Sequence, residues 1–177
     1  RDGDRHALAP HARDRRQPLF PQDIERAGQQ DGNGAGARHG GNAILVGGGT
    51  GLAPLKSMVR HALENEAYAG HLTLYQGARS REWLYDVDYF RGLAQKYPDR
   101  FTYRPCLSEE TAAERGPDAT AYGFGMVTDV IAADHPTLSG CAGYLCGPPP
   151  MVEAALKTLM GKRLFPRDIH REDFFNE

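Results

Sequence analysis

No stretch of the 177-residue chain approaches the roughly 18 consecutive apolar residues that a membrane-spanning helix requires. Nor does the N-terminus carry the apolar run of a signal peptide. These two absences point to a cytoplasmic chain with no membrane partner. Cysteine is scarce as well. Cys106, Cys141 and Cys146 form no Cys-x-x-Cys pair and cannot all be paired within one chain, so reduced thiols in a reducing compartment are expected. Cys141 and Cys146 have the spacing that opens a plant-type 2Fe–2S site, but the other ligands of such a site are missing, which excludes a cluster. The seven histidines show no metal-ligand spacing, so no metal site is expected. Charge of neither sign dominates: 21 Lys and Arg against 23 Asp and Glu leave a net charge of −2. That balance argues against a nucleic-acid partner held by a broad basic field. The cluster Arg13–Arg16 also lacks the interleaved aromatic residues of a single-strand binder.

Large apolar residues are nearly absent from the first 41 positions, where only Leu8, Leu19, Phe20 and Ile24 occur. So few side chains cannot offset the ordering entropy of that length, and residues 1–41 are expected to be a poorly structured or non-native extension. From Asn42 the text becomes regular. Ala43–Val46 is a short apolar run, Phe101–Leu107 alternates Phe101, Tyr103 and Pro105 with polar neighbours, and these two with His71–Gln76, Gly143–Cys146 and the closing Asp168–Phe174 read as strands. Segments with helical spacing between them, Leu52–Glu66, Glu82–Lys96, Met126–Asp134 and Pro149–Met160, read as helices, and Ser108–Tyr122 reads as a charged loop. Strand and helix alternate, and parallel strands need crossovers on both faces. Residues 42–177 are therefore expected to form one doubly wound α/β domain around a five-stranded parallel sheet.

Three motifs sit at predicted strand ends. Gly47-Gly48-Gly49-Thr50-Gly51-Leu52-Ala53-Pro54 follows the first strand and opens a helix. Glycines there let backbone approach a ligand, and the helix start attracts an anion such as a pyrophosphate. Pro54 departs from the usual dinucleotide fingerprint. Leu55 stands where a glycine must precede the lysine of a nucleoside-triphosphate loop, so Lys56-Ser57 does not make one. The second motif, Gly77-Ala78-Arg79-Ser80-Arg81, places two guanidinium groups where ordinary dinucleotide domains carry a ribose-binding carboxylate. It reads equally as a solvated helix entry capped by Ser80. The third, Cys146-Gly147-Pro148-Pro149-Pro150-Met151, puts a thiol on a proline-stiffened lip. A nucleophile reading of Cys146 lacks an evident activating base, so a neutral thiol packing against a ligand is favoured.

In this order the text ILVGGGTGLAP, LYQGARSREWLYD, YLCGPPPMVEAAL and REDFF resembles the nicotinamide-nucleotide domain of the ferredoxin–NADP reductase superfamily. It is most similar to the reductase components of bacterial multicomponent oxygenases acting on phenol, toluene or methane. The resemblance implies strand order 3-2-1-4-5 and hydride transfer from NAD(P)H to a flavin, with electrons passing on to an iron–sulfur centre or oxygenase component. It implies NADH as the cofactor, with NADPH also compatible, and FAD on a flavin-binding domain or separate flavoprotein. Carried over by position, Gly48, Gly49, Thr50 and Gly51 hold the pyrophosphate and ribose, and Arg79, Ser80 and Arg81 read the adenosine end. Cys146, Gly147, Pro148 and Met151 face the nicotinamide ring. Glu172 and Phe174 form an acidic and aromatic pair near the flavin, and Cys146 and Glu172 are the candidate catalytic residues. The Arg-x-Tyr-Ser/Thr motif that holds the flavin in this superfamily does not occur here. The alternative reading is a non-catalytic NAD(P)H-binding or interaction module that docks on a flavoprotein.

Overall fold

A computed structural model of the chain describes residues 41–64 and 68–173, the side chain of Asp173 excepted. The expectations for residues 1–40 and for Phe174 lie outside the described residues. Strand β1 (Ala43–Gly47) is buried along its whole length, as an apolar strand covered on both faces must be. After it come α1 (Leu52–Glu64), β2 (Leu72–Ala78), α2 (Val87–Lys96), β3 (Phe101–Leu107) and the single turn α3 (Ala112–Arg115). The chain continues through β4 (Gly123–Phe124), α4 (Val127–Asp134), β5 (Ala142–Gly147), α5 (Pro149–Gly161) and β6 (Ile169–Asp173). The strands form one six-stranded sheet in the order β4-β3-β2-β1-β5-β6, and every pairing is parallel.

The expected 3-2-1-4-5 arrangement is thus present with one addition. Gly123–Phe124 extends the sheet beyond β3, pairing with Cys106 and Leu107. Two residues between turns carry no period to read, so the sequence pattern passes over them. The helix expected over Glu82–Lys96 is also shorter than its pattern suggests. Residues 81–83 form a separate 3-10 turn, and Asp86 takes a left-handed φ of 54° that interrupts the backbone before Val87. Ser80 precedes the turn, but its side chain makes no capping bond.

Alternation along the strands divides the core. Ala43, Leu45, Leu72, Leu74, Phe101 and Tyr144 pack against α1 and Phe90 of α2. Ile44, Val46, Tyr75, Cys106 and Leu145 face the other way, against α4 and α5. Helices on both faces make the fold doubly wound. On α1, Leu55, Met58 and Val59 are wholly buried, each side chain contributing about 1.5–3 kcal/mol of transfer free energy. The far end of α1 is tied by Arg100, whose guanidinium donates to the carbonyls of Ala62, Leu63 and Tyr68 at 2.8, 3.0 and 2.9 Å. That satisfies acceptors a helix terminus otherwise leaves open and places a cation at its negative end. Among the described residues no helix is long and apolar enough to cross a membrane.

A polar group lies within the α4 face. The Tyr75 hydroxyl donates to Asp134 Oδ2 at 3.0 Å and lies 2.8 Å from His135 Nε2, while Arg104 Nε stands 3.5 Å from the same carboxylate oxygen. Burial lowers the His135 pKa; Asp134 opposes that shift and Lys162 adds to it. A histidine that is harder to protonate when folded binds its proton preferentially in the unfolded chain. Stability therefore declines as pH falls below about 6.5, the ordinary histidine value. We expect the melting temperature to drop between about pH 7 and pH 5, and His135→Gln to flatten that slope. A slope unaltered by the substitution would assign the pH dependence to other groups.

Candidate functional site

The parallel register brings the three motifs to one edge of the sheet. Gly47 pairs with Gln76 on one side and Cys146 on the other, and Cys146 pairs with Glu172. The carboxyl ends of β2, β1, β5 and β6 are therefore neighbours, where open α/β sheets bind ligands. Of the sequence-predicted site residues, Gly48–Gly51, Arg79–Arg81, Cys146–Pro148, Met151 and Glu172 belong to these ends. Phe174 falls outside the described residues.

A 3-10 turn over Gly49–Gly51 joins β1 to α1, closed by the Gly51 N–H donating to the Gly48 carbonyl at 3.1 Å. Gly51 is buried against β5: a Cβ there would lie 2.2 Å from the Cys146 carbonyl oxygen and 2.6 Å from Gly147 Cα. Gly49 differs, taking a φ of +55° with open space around it, and both Gly49 and Thr50 are exposed. The first turn of α1 carries no acidic residue. Its positive end is thus open to an anion without a competing carboxylate.

The start of α5 is built otherwise. Pro149 and Pro150 begin the helix without N–H donors, and the next two donors, on Met151 and Val152, are spent on the Pro148 carbonyl at 3.0 and 3.1 Å. Met151 lies over three glycines: its Sδ is 3.1 and 3.3 Å from Cβ positions on Gly48 and Gly77, and its Cε 2.6 Å from one on Gly147. This lip offers an apolar, rigid surface where α1 offers charge. Cys146 lies beneath it with 0% exposure, its side chain among the α1-face residues. Burial pushes the Cys106 thiol up to about 12 and raises that of Cys141, as apolar surroundings do. Glu172 is half-buried on β6 beside Cys146.

The arginine loop is held from several sides. Gln76, 1% exposed at the end of β2, accepts a 2.5 Å bond from the Tyr103 hydroxyl and donates to the Tyr85 carbonyl at 3.2 Å. Lys56 Nζ pairs with Asp86 at 2.9 Å and sits over the Tyr89 ring, so it supports the α2 start. Arg79 is exposed and stands 3.8 Å from Glu109. The Arg81 N–H donates to Glu110 Oε1 at 2.6 Å. Gln76 and Glu110 were missed at the sequence level. A polar residue ending the apolar run LTLYQ was the available signal for Gln76; Glu110, in a charged loop, gave none. Trp83 and Tyr85 remain 59% and 52% exposed on the same loop, so neither is the core residue its type suggests.

Residues 45–157 match the family described as the oxidoreductase NAD-binding domain. The chain belongs to that family. This NAD-binding domain is 44% identical over 135 residues to the reductase subunit of an aromatic O-demethylase from Amycolatopsis, covering 76% of this chain and 38% of that protein. It is 41% identical over 137 residues to the reductase component of phenol 2-monooxygenase from Pseudomonas, covering 76% of this chain and 37% of the relative. A solved cytochrome P450 reductase from Amycolatopsis matches with a TM-score of 0.66 and 42% identity, over 76% of this chain and 38% of that one. The cytochrome b5 reductase domain of a nitrate reductase from Ulva prolifera shares the fold, with a TM-score of 0.64 at 21% identity over 74% of this chain and 49% of that one. The resemblance to oxygenase reductase components read from the four motifs is borne out. The chain spans less than two fifths of the length of those first two relatives.

The two loop glycines separate packing from conformation. Gly51→Ala is expected to destabilise the domain by roughly 1–3 kcal/mol or more, because the atom it meets is backbone and cannot swing away. Gly49→Ala, strained but unobstructed, is expected to cost about 1 kcal/mol. Urea unfolding of both variants checks the order, and a Gly51→Ala domain as stable as Gly49→Ala would contradict the contact.

Proposed function

We propose that this chain is the nicotinamide-nucleotide half of a flavin-dependent reductase, which positions NAD(P)H for hydride transfer to a flavin held by a separate domain or flavoprotein. The observation that carries the reading is the acid-free, exposed head of α1 at Gly49–Thr50, set between the arginine loop and the Cys146–Gly147 lip. The residues fit an extended dinucleotide by their chemistry. Gly48, Gly49, Thr50 and Gly51 would hold the pyrophosphate, and Arg79, Ser80 and Arg81 the adenosine end. Gly147, Pro148 and Met151 would supply an apolar rest for the nicotinamide ring.

When bound, the nucleotide supplies a hydride from C4 of its nicotinamide ring to N5 of the flavin and is left as NAD(P)+. The protein's part is position, as is usual in such pairs. With its thiol covered, Cys146 would act by shaping the lip rather than as a nucleophile. Glu172, on the neighbouring strand, would stand at the flavin side. Electrons would pass on to an iron–sulfur protein or an oxygenase component, in keeping with the names of the relatives. FAD is the proposed flavin, since one similar structure, 25% identical with a TM-score of 0.50, is an FAD apo form of a ferredoxin reductase in carbazole 1,9a-dioxygenase. NADH is the proposed nucleotide.

Thr50→Asp tests the reading, because it acts oppositely on fold and ligand. A carboxylate at a helix N-terminus adds about 0.3–1 kcal/mol to stability, yet it would stand where the pyrophosphate binds. We expect calorimetric titration to find binding of NADH by the unaltered chain, and an affinity about tenfold or more lower in the variant with no loss in melting temperature. Failure of the unaltered chain to bind either NADH or NADPH would overturn the proposal.

A further inference from the structure

The loop leaving β3 carries two adjacent acids, Glu109 and Glu110, into the arginine loop that leaves β2. Their backbones run together past the strands: the Ser108 N–H donates to the Ala78 carbonyl at 3.0 Å and the Glu109 N–H to the Arg79 carbonyl at 2.8 Å. Glu110 then turns inward. Its Oε1 accepts the Arg81 N–H, and its Oε2 lies 2.6 Å from Arg115 Nε. Those last two atoms are buried and not aligned as a hydrogen bond, so the contact is one of charge with charge. Arg115 is carried there by α3, whose start is fixed by the Thr111 N–H and hydroxyl both donating to Glu114 Oε2, at 2.5 and 2.8 Å. Glu109 stays at the surface, 3.8 Å from Arg79.

The local charge count decides what the arginines can do. Arg79, Arg81 and Arg115 are set among Glu82, Glu109, Glu110 and Glu114, so these two loops carry more negative than positive charge. A ribose 2′-phosphate brings about −1.5 to −2 further charge at neutral pH and meets that excess of carboxylates. A ribose with a free 2′-hydroxyl carries no such charge, and a nearby carboxylate is compatible with it.

We infer that Glu109 and Glu110 determine which nucleotide the site selects: Glu110, held by Arg115, positions the backbone at Arg81, and Glu109 sets a second carboxylate beside the Arg79 guanidinium. The adenosine end then admits NADH and turns away NADPH by like-charge repulsion. The inference rests on the proposed function, since it needs a nicotinamide nucleotide lying along this edge.

Titration of the full chain with NADH and with NADPH at low ionic strength tests it. The unaltered chain is expected to bind NADH more tightly. Glu109→Gln, at an exposed position, is expected to raise the ratio of NADPH to NADH affinity about threefold or more, a gain that shrinks as salt is added. Glu110→Gln keeps an acceptor oxygen for the Arg81 N–H but removes the charge, and it should move the ratio the same way. A merely structural role would lower both affinities together and leave the ratio alone. NADH binding with a ratio unchanged in both variants, or NADPH binding as tightly as NADH to the unaltered chain, overturns this inference and leaves the proposed function standing. Binding of neither nucleotide overturns both.

Discussion

The site depends on one close approach, that of Gly51 to the end of β5. The Cys146 carbonyl and Gly147 Cα occupy the space where a side chain at position 51 would be. Because nothing is there, the head of α1 seats directly on the strand end, and the 3-10 turn before it lifts Gly49 and Thr50 into the open. The same closeness allows Met151 to reach across the Gly48, Gly77 and Gly147 backbones. Three loops from three strands are thus locked by contacts with backbone, which cannot relax as side chains can. A surface made this way is stiff, and stiffness is what a site needs when its task is to orient a bound molecule.

The two helix starts at this edge divide the work between them. Helix α1 is entered through the exposed Gly49 and Thr50 with no acid in its first turn, whereas α5 begins in two prolines beside Met151, which covers the neighbouring glycines. One start suits an anion and the other a flat apolar group. Across the sheet from β6 to β3 the ends read in order: acid, buried thiol and proline lip, glycine loop, arginine loop, paired acids. Neighbouring strands lie roughly 4.8 Å apart, so four steps cover about 19 Å, a span suited to an extended dinucleotide rather than a compact substrate.

Most of the fold was legible because its signals are local. Apolar runs mark the central strands, helical spacing marks α1 and α5, and glycines or prolines punctuate the turns between. What escaped depended on partners remote in sequence. Strand β4 exists because Gly123 and Phe124 meet Cys106 and Leu107, and two residues cannot display a period. The true start of α2 is set by the left-handed turn at Asp86 and its bond to Lys56, some thirty positions earlier. For the candidate site, the residues that would touch a ligand lie at strand ends, and parallel pairing fixes those as neighbours. The residues that hold them, Gln76 and Glu110, were opaque. Glu110 bonds to Arg81 across 29 positions, and an adjacent pair of glutamates in a charged loop looks like any solvated stretch.

Cys146 illustrates how far residue type alone can carry a functional reading. A cysteine at the carboxyl edge of an α/β sheet, followed by prolines, has the sequence context of a reactive thiol. Its side chain instead points into the α1 face and is wholly covered, because it follows the inward alternation of Ala142 and Tyr144 along β5. Only its backbone reaches the edge, where its carbonyl meets Gly51. Any contribution from this position to catalysis is therefore transmitted through the shape of the strand end. The volume of the side chain beneath the lip matters there, since a larger group would press on the α1-face core and a smaller one would leave a void.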